Sequence, residues 1–388
     1  MTAGCKTNII SRNLMYRRFI LCLFVLVASL HLRAVAQSPW PLAQANAWES
    51  AHGWLVGCNF TPSTAINQLE MWQADTFDPA TIDRELGWAE GIGFSSVRVF
   101  LHNLLWQQDP KGFLKRMDRF LAIAQKHHIG VTFVIFDSCW NPYPQLGQQP
   151  APKPFVHNSG WVQSPGRDIL MHPERFAELK PYVQGVIGHF KNDPRINLWD
   201  VYNEPDNMND PAYMKQENAV KGSFALVLLQ QTFAWAREVK PSQPLTSGVW
   251  LGNWGDADKL SAMERVQLQN SDVITFHNYS RVGDLKQCVE HLQRYQRPIV
   301  CTEYMARPVG STFDPNLKFL HDHNVGAYNW GFVSGKTQTI FPWDSWTKSY
   351  SSEPPLWFHD IFRTDGTPYD VKEVAYIKSV TLKSAGGN

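Results

Sequence analysis

The chain has no excess of charge of either sign. Its 388 residues carry 36 lysines and arginines against 35 aspartates and glutamates. No basic stripe runs along it, so nucleic acid is not an expected partner. Cysteine is scarce, with six in all. No two of the four beyond residue 36 have C-x-x-C spacing, and no structural zinc motif is present. The N-terminal apolar run, residues 19–30, is twelve residues long, short of the ~20 that a membrane span requires. Neither an internal repeat nor a shift in composition marks a second domain. One domain is enough for this length, since single barrels take about 250 residues and more with insertions.

The N-terminus has three parts. Arg17 and Arg18 precede the apolar run, and Ala34-Val35-Ala36 follows it as a small-x-small cleavage site before Gln37. This is the pattern of a secretory signal peptide over residues 1–36 rather than of an uncleaved anchor. Cys22 lies inside the run, which argues against a lipoprotein. Cleavage would remove five bases and no acid, leaving 31 bases against 35 acids, a formal charge of −4. The expected product is a secreted or periplasmic protein, residues 37–388, monomeric and without stable membrane association. Its four cysteines, Cys58, Cys139, Cys288 and Cys301, allow three pairings. Cys58 and Cys139 both follow predicted strand ends, where they either meet at a common mouth or stay as buried thiols.

Apolar residues make up 44% of the chain, enough for a large core, and aromatics 13%, with 16 tryptophans. That is more aromatic surface than a core needs, and exposed aromatic faces stack on sugar rings. Short β-branched and aromatic runs alternate with helical periodicity. Strands are predicted at 54–59, 97–100, 131–136, 198–202, 245–249, 273–276, 299–302 and 327–330. Helices are predicted at 79–91, 110–128, 173–192, 213–240, 257–268, 284–295 and 315–323. In 110–128, Phe113, Met117, Phe120, Leu121 and Ala124 recur on one face. Residues 37–53 read as a polar, aromatic lead-in. Alternation of this kind means βα units and a parallel sheet, and eight units fit a (β/α)8 barrel. Residues 137–171 have no periodicity and many prolines, and they carry Trp140, Tyr143, Phe155 and Trp161. A loop this long is usually functional or mobile; its rings either pack it down or build subsites.

Two stretches carry chemistry. Leu198-Trp199-Asp200-Val201-Tyr202-Asn203-Glu204-Pro205 is a buried strand that ends in a carboxylate and turns at a proline. Pro298-Ile299-Val300-Cys301-Thr302-Glu303-Tyr304 is a second apolar run ending in a carboxylate. A single strand-end glutamate is commonly a salt-bridged loop residue. Two of them, each closing a buried strand, are what glycosidic hydrolysis uses: one donates a proton, and the other attacks or activates water.

At these residues the chain resembles the clan A retaining glycoside hydrolases, family 5 and family-5-like enzymes. Asn203-Glu204-Pro205 resembles the acid/base motif at the end of the fourth strand, and Thr302-Glu303-Tyr304 the nucleophile at the end of the seventh. The resemblance covers roughly residues 50–375. It implies that Glu204 and Glu303 are catalytic and that Arg98, in the second strand, contacts the nucleophile. It implies that Asn203 holds a sugar 2-hydroxyl. In His277-Asn278-Tyr279, the tyrosine hydroxyl would bond to the nucleophile and the histidine line the sugar subsite. Trp330 would be the platform under the sugar.

The departure is on the third strand, where many family members have a histidine and this chain reads Phe136-Asp137-Ser138-Cys139-Trp140. His102 is a candidate substitute, Asp137 a candidate for sugar hydroxyls, and Trp140 and Trp161 candidate loop subsites. Residues 331–346, with Lys336, Phe341, Trp343 and Trp346, would form a wall beside Trp330.

The reading is a retaining β-glycoside hydrolase acting on a polysaccharide or oligosaccharide, with no metal or organic cofactor implied. The expected electrostatics are a Glu303 carboxyl lowered by Arg98 and Tyr279 and a Glu204 carboxyl raised. The rivals are a non-catalytic carbohydrate-binding barrel and a transglycosylase on the same fold.

Overall fold

The computed structural model describes residues 38–382, so the predicted signal peptide lies outside the described residues. Eight parallel strands are ordered β5-β4-β3-β2-β1-β8-β7-β6. They are β1 (Val56–Asn59), β2 (Ser96–Phe100), β3 (Gly130–Val134), β4 (Ile196–Asp200), β5 (Leu245–Thr246), β6 (Ile274–His277), β7 (Ile299–Tyr304) and β8 (Gly326–Asn329). Continuous ladders join every neighbouring pair from β5 round to β6. The remaining gap, β5 to β6, is bridged by single contacts. The Val249 amide donates to the Thr275 carbonyl, the His277 amide to the Val249 carbonyl, and the Asp272 amide to the Leu245 carbonyl. The sheet therefore closes into the expected (β/α)8 barrel as one domain with long βα loops.

Helices interleave the strands and bury one face each. Pro110–Lys126 shows how the sequence does this. Asp109 caps it by accepting from the Gly112 amide, Pro110 occupies its first turn, and the predicted stripe Phe113, Met117, Phe120, Leu121 and Ala124 is buried.

The structure corrects three expectations. The lead-in contains a helix, Leu42–His52, and Trp48 from it packs against Leu55, Leu198, Val273, Val300 and Tyr328 at the floor of the barrel. Its weak apolar stripe gave no periodicity to read. The helix after β4 begins at Lys221, eight residues later than predicted, because Glu217 draws the preceding segment into a tight loop: one of its oxygens accepts from Gln163, Asn209 and Lys221. The predicted helix 173–192 opens as a 3-10 turn, Pro173–Leu179, before Lys180–His189. The four cysteines are free thiols, so of the two alternatives left open for Cys58 and Cys139 the structure has the unpaired one.

Residues 137–171 are well tied down. Asp137 bridges Ser164, Asn141 bridges Val162, and Arg167–Leu170 forms a short helix. No helix among the described residues is long and apolar enough to cross a membrane.

Candidate active site

Past their last ladder positions, the chains leaving β3 and β4 stay paired at the C-terminal end of the barrel, where Asp137 bridges Asn203. There the Asn203 amide donates to the Phe136 carbonyl at 2.8 Å. Glu204 follows with φ 41°, a left-handed backbone that a glutamate rarely adopts. That turn, just before Pro205, points the carboxyl into the mouth. Glu303 reaches the same space from β7. Oxygens of the two carboxyls lie within 4.8 Å of each other.

Arg98 is fully buried and organises the cluster. Its guanidinium donates to Glu303 Oε1 at 2.9 Å, Asp200 Oδ2 at 2.7 Å, Asn203 Oδ1 at 2.6 Å and Asn59 Oδ1 at 2.8 Å. A buried charge needs such a set of acceptors, and the two carboxylates hold Arg98 firmly protonated. The Tyr279 hydroxyl donates to Glu303 Oε2 at 2.8 Å. Glu204 has a different shell. Asn207 donates to its Oε2 at 2.6 Å, the Cys139 thiol lies 3.2 Å from the same oxygen, and His277 Nδ1 sits 2.7 Å from Oε1. His277 Nδ1 is also 3.6 Å from Glu303 Oε2, so the ring bridges the two acids. Burial lowers the His277 pKa to about 4, so the ring is neutral.

Burial raises the pKa of both glutamates. The expectation that Glu303 falls below the ordinary range is therefore corrected: loss of water outweighs its partners. Their ranking still separates the two acids. Glu303 touches a cation and a hydroxyl donor, which favour its ionised form, whereas Glu204 contacts only neutral groups. The first proton taken up by the pair belongs on Glu204.

The other predicted residues divide into two groups. Trp330, Trp140 and Asn203 line a cavity of about 440 Å³ with Glu204, Glu303 and Tyr279. Trp343 and Trp346 also line it, and Trp346 stacks on Trp140 with ring centroids 5.6 Å apart. Lys336 instead pairs with Glu70, and Phe341 is buried.

The second group lies behind this surface. Asp137 is buried, and its oxygens accept from Asn203, Trp161, Gln68 and the Cys139 amide, which leaves nothing for a sugar hydroxyl. His102 caps the short helix Asn103–Gln108 by accepting from the Leu104 amide, and its other nitrogen bonds to the Gln163 carbonyl. Burial lowers its pKa to about 3, and it does not replace the missing third-strand histidine. Trp161 is 2% exposed, bonds to Asp137 and abuts Trp330 edge-on; it supports Trp330 and does not itself line the main cavity. His277 likewise stands behind the carboxyls.

Sequence reasoning missed Asn207, Asn209, Cys139 as a partner of Glu204, and the buried Lys221–Glu217 pair at 2.6 Å. The run of asparagines just after the Asn-Glu-Pro motif was the available signal. Glu204, His277 and Glu303 are also, among the described residues, the one group of His, Cys, Asp and Glu side chains close enough together to ligate a metal ion. Three of their four carboxylate oxygens already accept from Arg98, Tyr279 and Asn207.

No protein-family profile matches the chain, and no curated protein does. Solved structures do match in fold. A GH5_18 protein from Streptomyces cattleya in complex with GlcNAc is 12% identical, with TM-score 0.56, covering 87% of this chain and 81% of that one. An endo-β-1,4-mannanase from Thermotoga petrophila is 14% identical, with TM-score 0.54, covering 86% and 77%. An endo-1,4-β-mannanase from Rhizomucor miehei is 14% identical, with TM-score 0.53, covering 85% and 98%. The barrel is thus similar in fold to family 5 structures, the family whose motifs the sequence resembles.

Proposed function

We propose that the chain is a retaining β-glycoside hydrolase of family-5-like type. The observation that carries the reading is the asymmetric pair Glu204 and Glu303. The two carboxyls are too close for an intervening water, and only Glu303 is ion-paired. Glu303 attacks the anomeric carbon while Glu204 gives its proton to the leaving oxygen, and the bond from carbon to that oxygen breaks. Water then attacks the glycosyl-enzyme ester, Glu204 takes its proton, and Glu303 leaves as a carboxylate. Tyr279 and Arg98 keep Glu303 aligned. Asn203 has one amide hydrogen on Asp137, its nitrogen 3.5 Å from Cys139 Sγ and its oxygen on Arg98; the sugar 2-hydroxyl would take the hydrogen that the thiol holds only weakly. Trp330 supplies an apolar face for the ring.

The substrate is a β-linked oligosaccharide or polysaccharide. β-Mannosides are the first to try, because solved structures of similar fold are named as mannanases and one binds Manβ1-4GlcNAc. The rival binding barrel has no use for a cation placed on one of two acids. The test is NMR of the first product formed from an aryl β-glycoside. Retained configuration is expected, and inverted product would overturn the assignment.

A further inference from the structure

The mouth is walled on one side. The cavity is lined by residues that follow strands β3 to β8 and by none that follow β1 or β2. That sector is covered by residues 157–163. The Gly160 carbonyl accepts from Asn67 at 2.8 Å and the Val162 carbonyl from Gln68 at 3.0 Å. Gly160 lies so close to Ile66 that a Cβ there would stand 2.2 Å away. The other edge of this segment is zipped to residues 335–346. The Asn158 amide donates to the Thr337 carbonyl at 2.8 Å, the His157 amide to Ser345 Oγ at 3.0 Å, and the Trp346 indole to the His157 carbonyl at 2.9 Å. This second strip is itself fixed to the loop after β1, since the Lys336 amide bonds to the Ser63 carbonyl.

Asn158 stands on the inner face of this wall. It lines both the main cavity and a smaller one of about 20 Å³ that Asn59, Thr61, Trp161 and Trp330 also line. The residue is 1% exposed, yet neither its side-chain oxygen nor its nitrogen has a hydrogen-bond partner among the described residues. A buried amide left unpaired is costly. One acceptor and two donors side by side match the hydroxyls of a sugar ring.

The reaction fixes which sugar lies there, so the argument rests on the glycosidase reading above. The anomeric carbon must meet Glu303, and the leaving oxygen must meet Glu204. Trp330 is tied to β7 through its amide on the Tyr304 carbonyl. The sugar attached to Glu303 therefore lies over Trp330 and toward Asn158, while the leaving group runs past Glu204 toward Asp206, Trp250 and Leu251. We propose that the glycone side holds one terminal sugar, that Asn158 hydrogen-bonds its hydroxyls at the closed end, and that the enzyme is exo-acting from the non-reducing end.

The test compares native protein with Asn158→Gly and Asn158→Asp. The backbone at Asn158 has φ 47°, which glycine adopts freely, so Asn158→Gly is expected to keep a near-native melting midpoint, whereas Asn158→Asp buries a carboxyl without partners and is expected to melt lower. Native protein should release monosaccharide from a β-linked oligosaccharide from the earliest times. Asn158→Gly should lower kcat/KM by about 10- to 100-fold, the size of a lost buried hydrogen-bond pair. Glycosides deoxygenated at the terminal sugar should identify the contact: native protein loses the same factor on one of them, and Asn158→Gly loses nothing more. Early release of longer oligosaccharides, or unchanged kcat/KM in Asn158→Gly, would overturn the inference and leave the glycosidase reading standing. Absence of any β-glycoside turnover by native protein would remove the glycosidase reading and the inference with it.

Discussion

At the floor of the barrel Leu55, Leu198, Val273, Val300 and Tyr328 meet under Trp48. At the mouth, β4 and β7 carry Asp200, Glu204 and Glu303 around the fully buried Arg98. The floor gains stability from apolar burial at roughly 25 cal/mol per Å². The mouth gives stability up: two carboxyls are raised by burial, Glu204 holds a left-handed backbone, and one oxygen of Asp200 and one nitrogen of His277 have no partner among the described residues. One set of strands thus separates holding the protein together from doing chemistry, by position along the strand alone.

The sharpest way to break this comparison is at the acids. Glu303→Ala should reduce turnover by roughly 10⁴-fold or more, with added azide yielding the α-glycosyl azide. Glu204→Ala should retain activity on substrates with good leaving groups, and azide should give the β-product. A β-azide from the Glu303 variant would reverse the roles. The next effect lies at the other end. Leu198→Ala should cost about 2–5 kcal/mol of stability by denaturant unfolding while leaving kcat/KM at 25 °C near the native value. A comparable loss of activity in the folded variant would show that floor and mouth are coupled.

The smallest effect concerns pH. Activity requires Glu303 ionised and Glu204 protonated, so it is lost as pH falls through the Glu303 pKa and as it rises through the Glu204 pKa. Burial moves both limbs up from the ordinary carboxylate range. The Cys139 thiol, donating to Glu204 Oε2, favours the ion and lowers that pKa. Cys139→Ala should therefore shift the alkaline limb of kcat/KM upward by less than about one unit. A downward shift would mean that the thiol accepts from a protonated Glu204.

The eight strands, both glutamates, Arg98, Tyr279 and Trp330 were legible because each is written locally: a short apolar run, then a polar residue at its end. Asp137, His102 and Trp161 were misplaced for the opposite reason. Strand-end position brings a side chain near the mouth, but what occupies its hydrogen-bonding atoms is decided by partners far away in sequence, such as Gln68 for Asp137 and Gln163 for His102. The Leu42–His52 helix was illegible because its stability comes from the floor it covers and not from a strong stripe of its own. Asn158 was invisible too, since nothing local distinguishes an asparagine without a partner from one at an ordinary turn.

The thin junction between β5 and β6 makes the barrel a split ring. Going the long way round, from β4 through β3, β2, β1 and β8 to β7, every neighbour is laddered, so a continuous run of paired strands joins the two that lead to the acids. Across the split, His277 from β6 reaches Glu204 beyond the end of β4 and works as a clasp. The amide hydrogens of Val249 and His277, at the split, should exchange with solvent ahead of those in β2 and β3. A bound sugar that engages both acids would draw the clasp tight and slow that exchange.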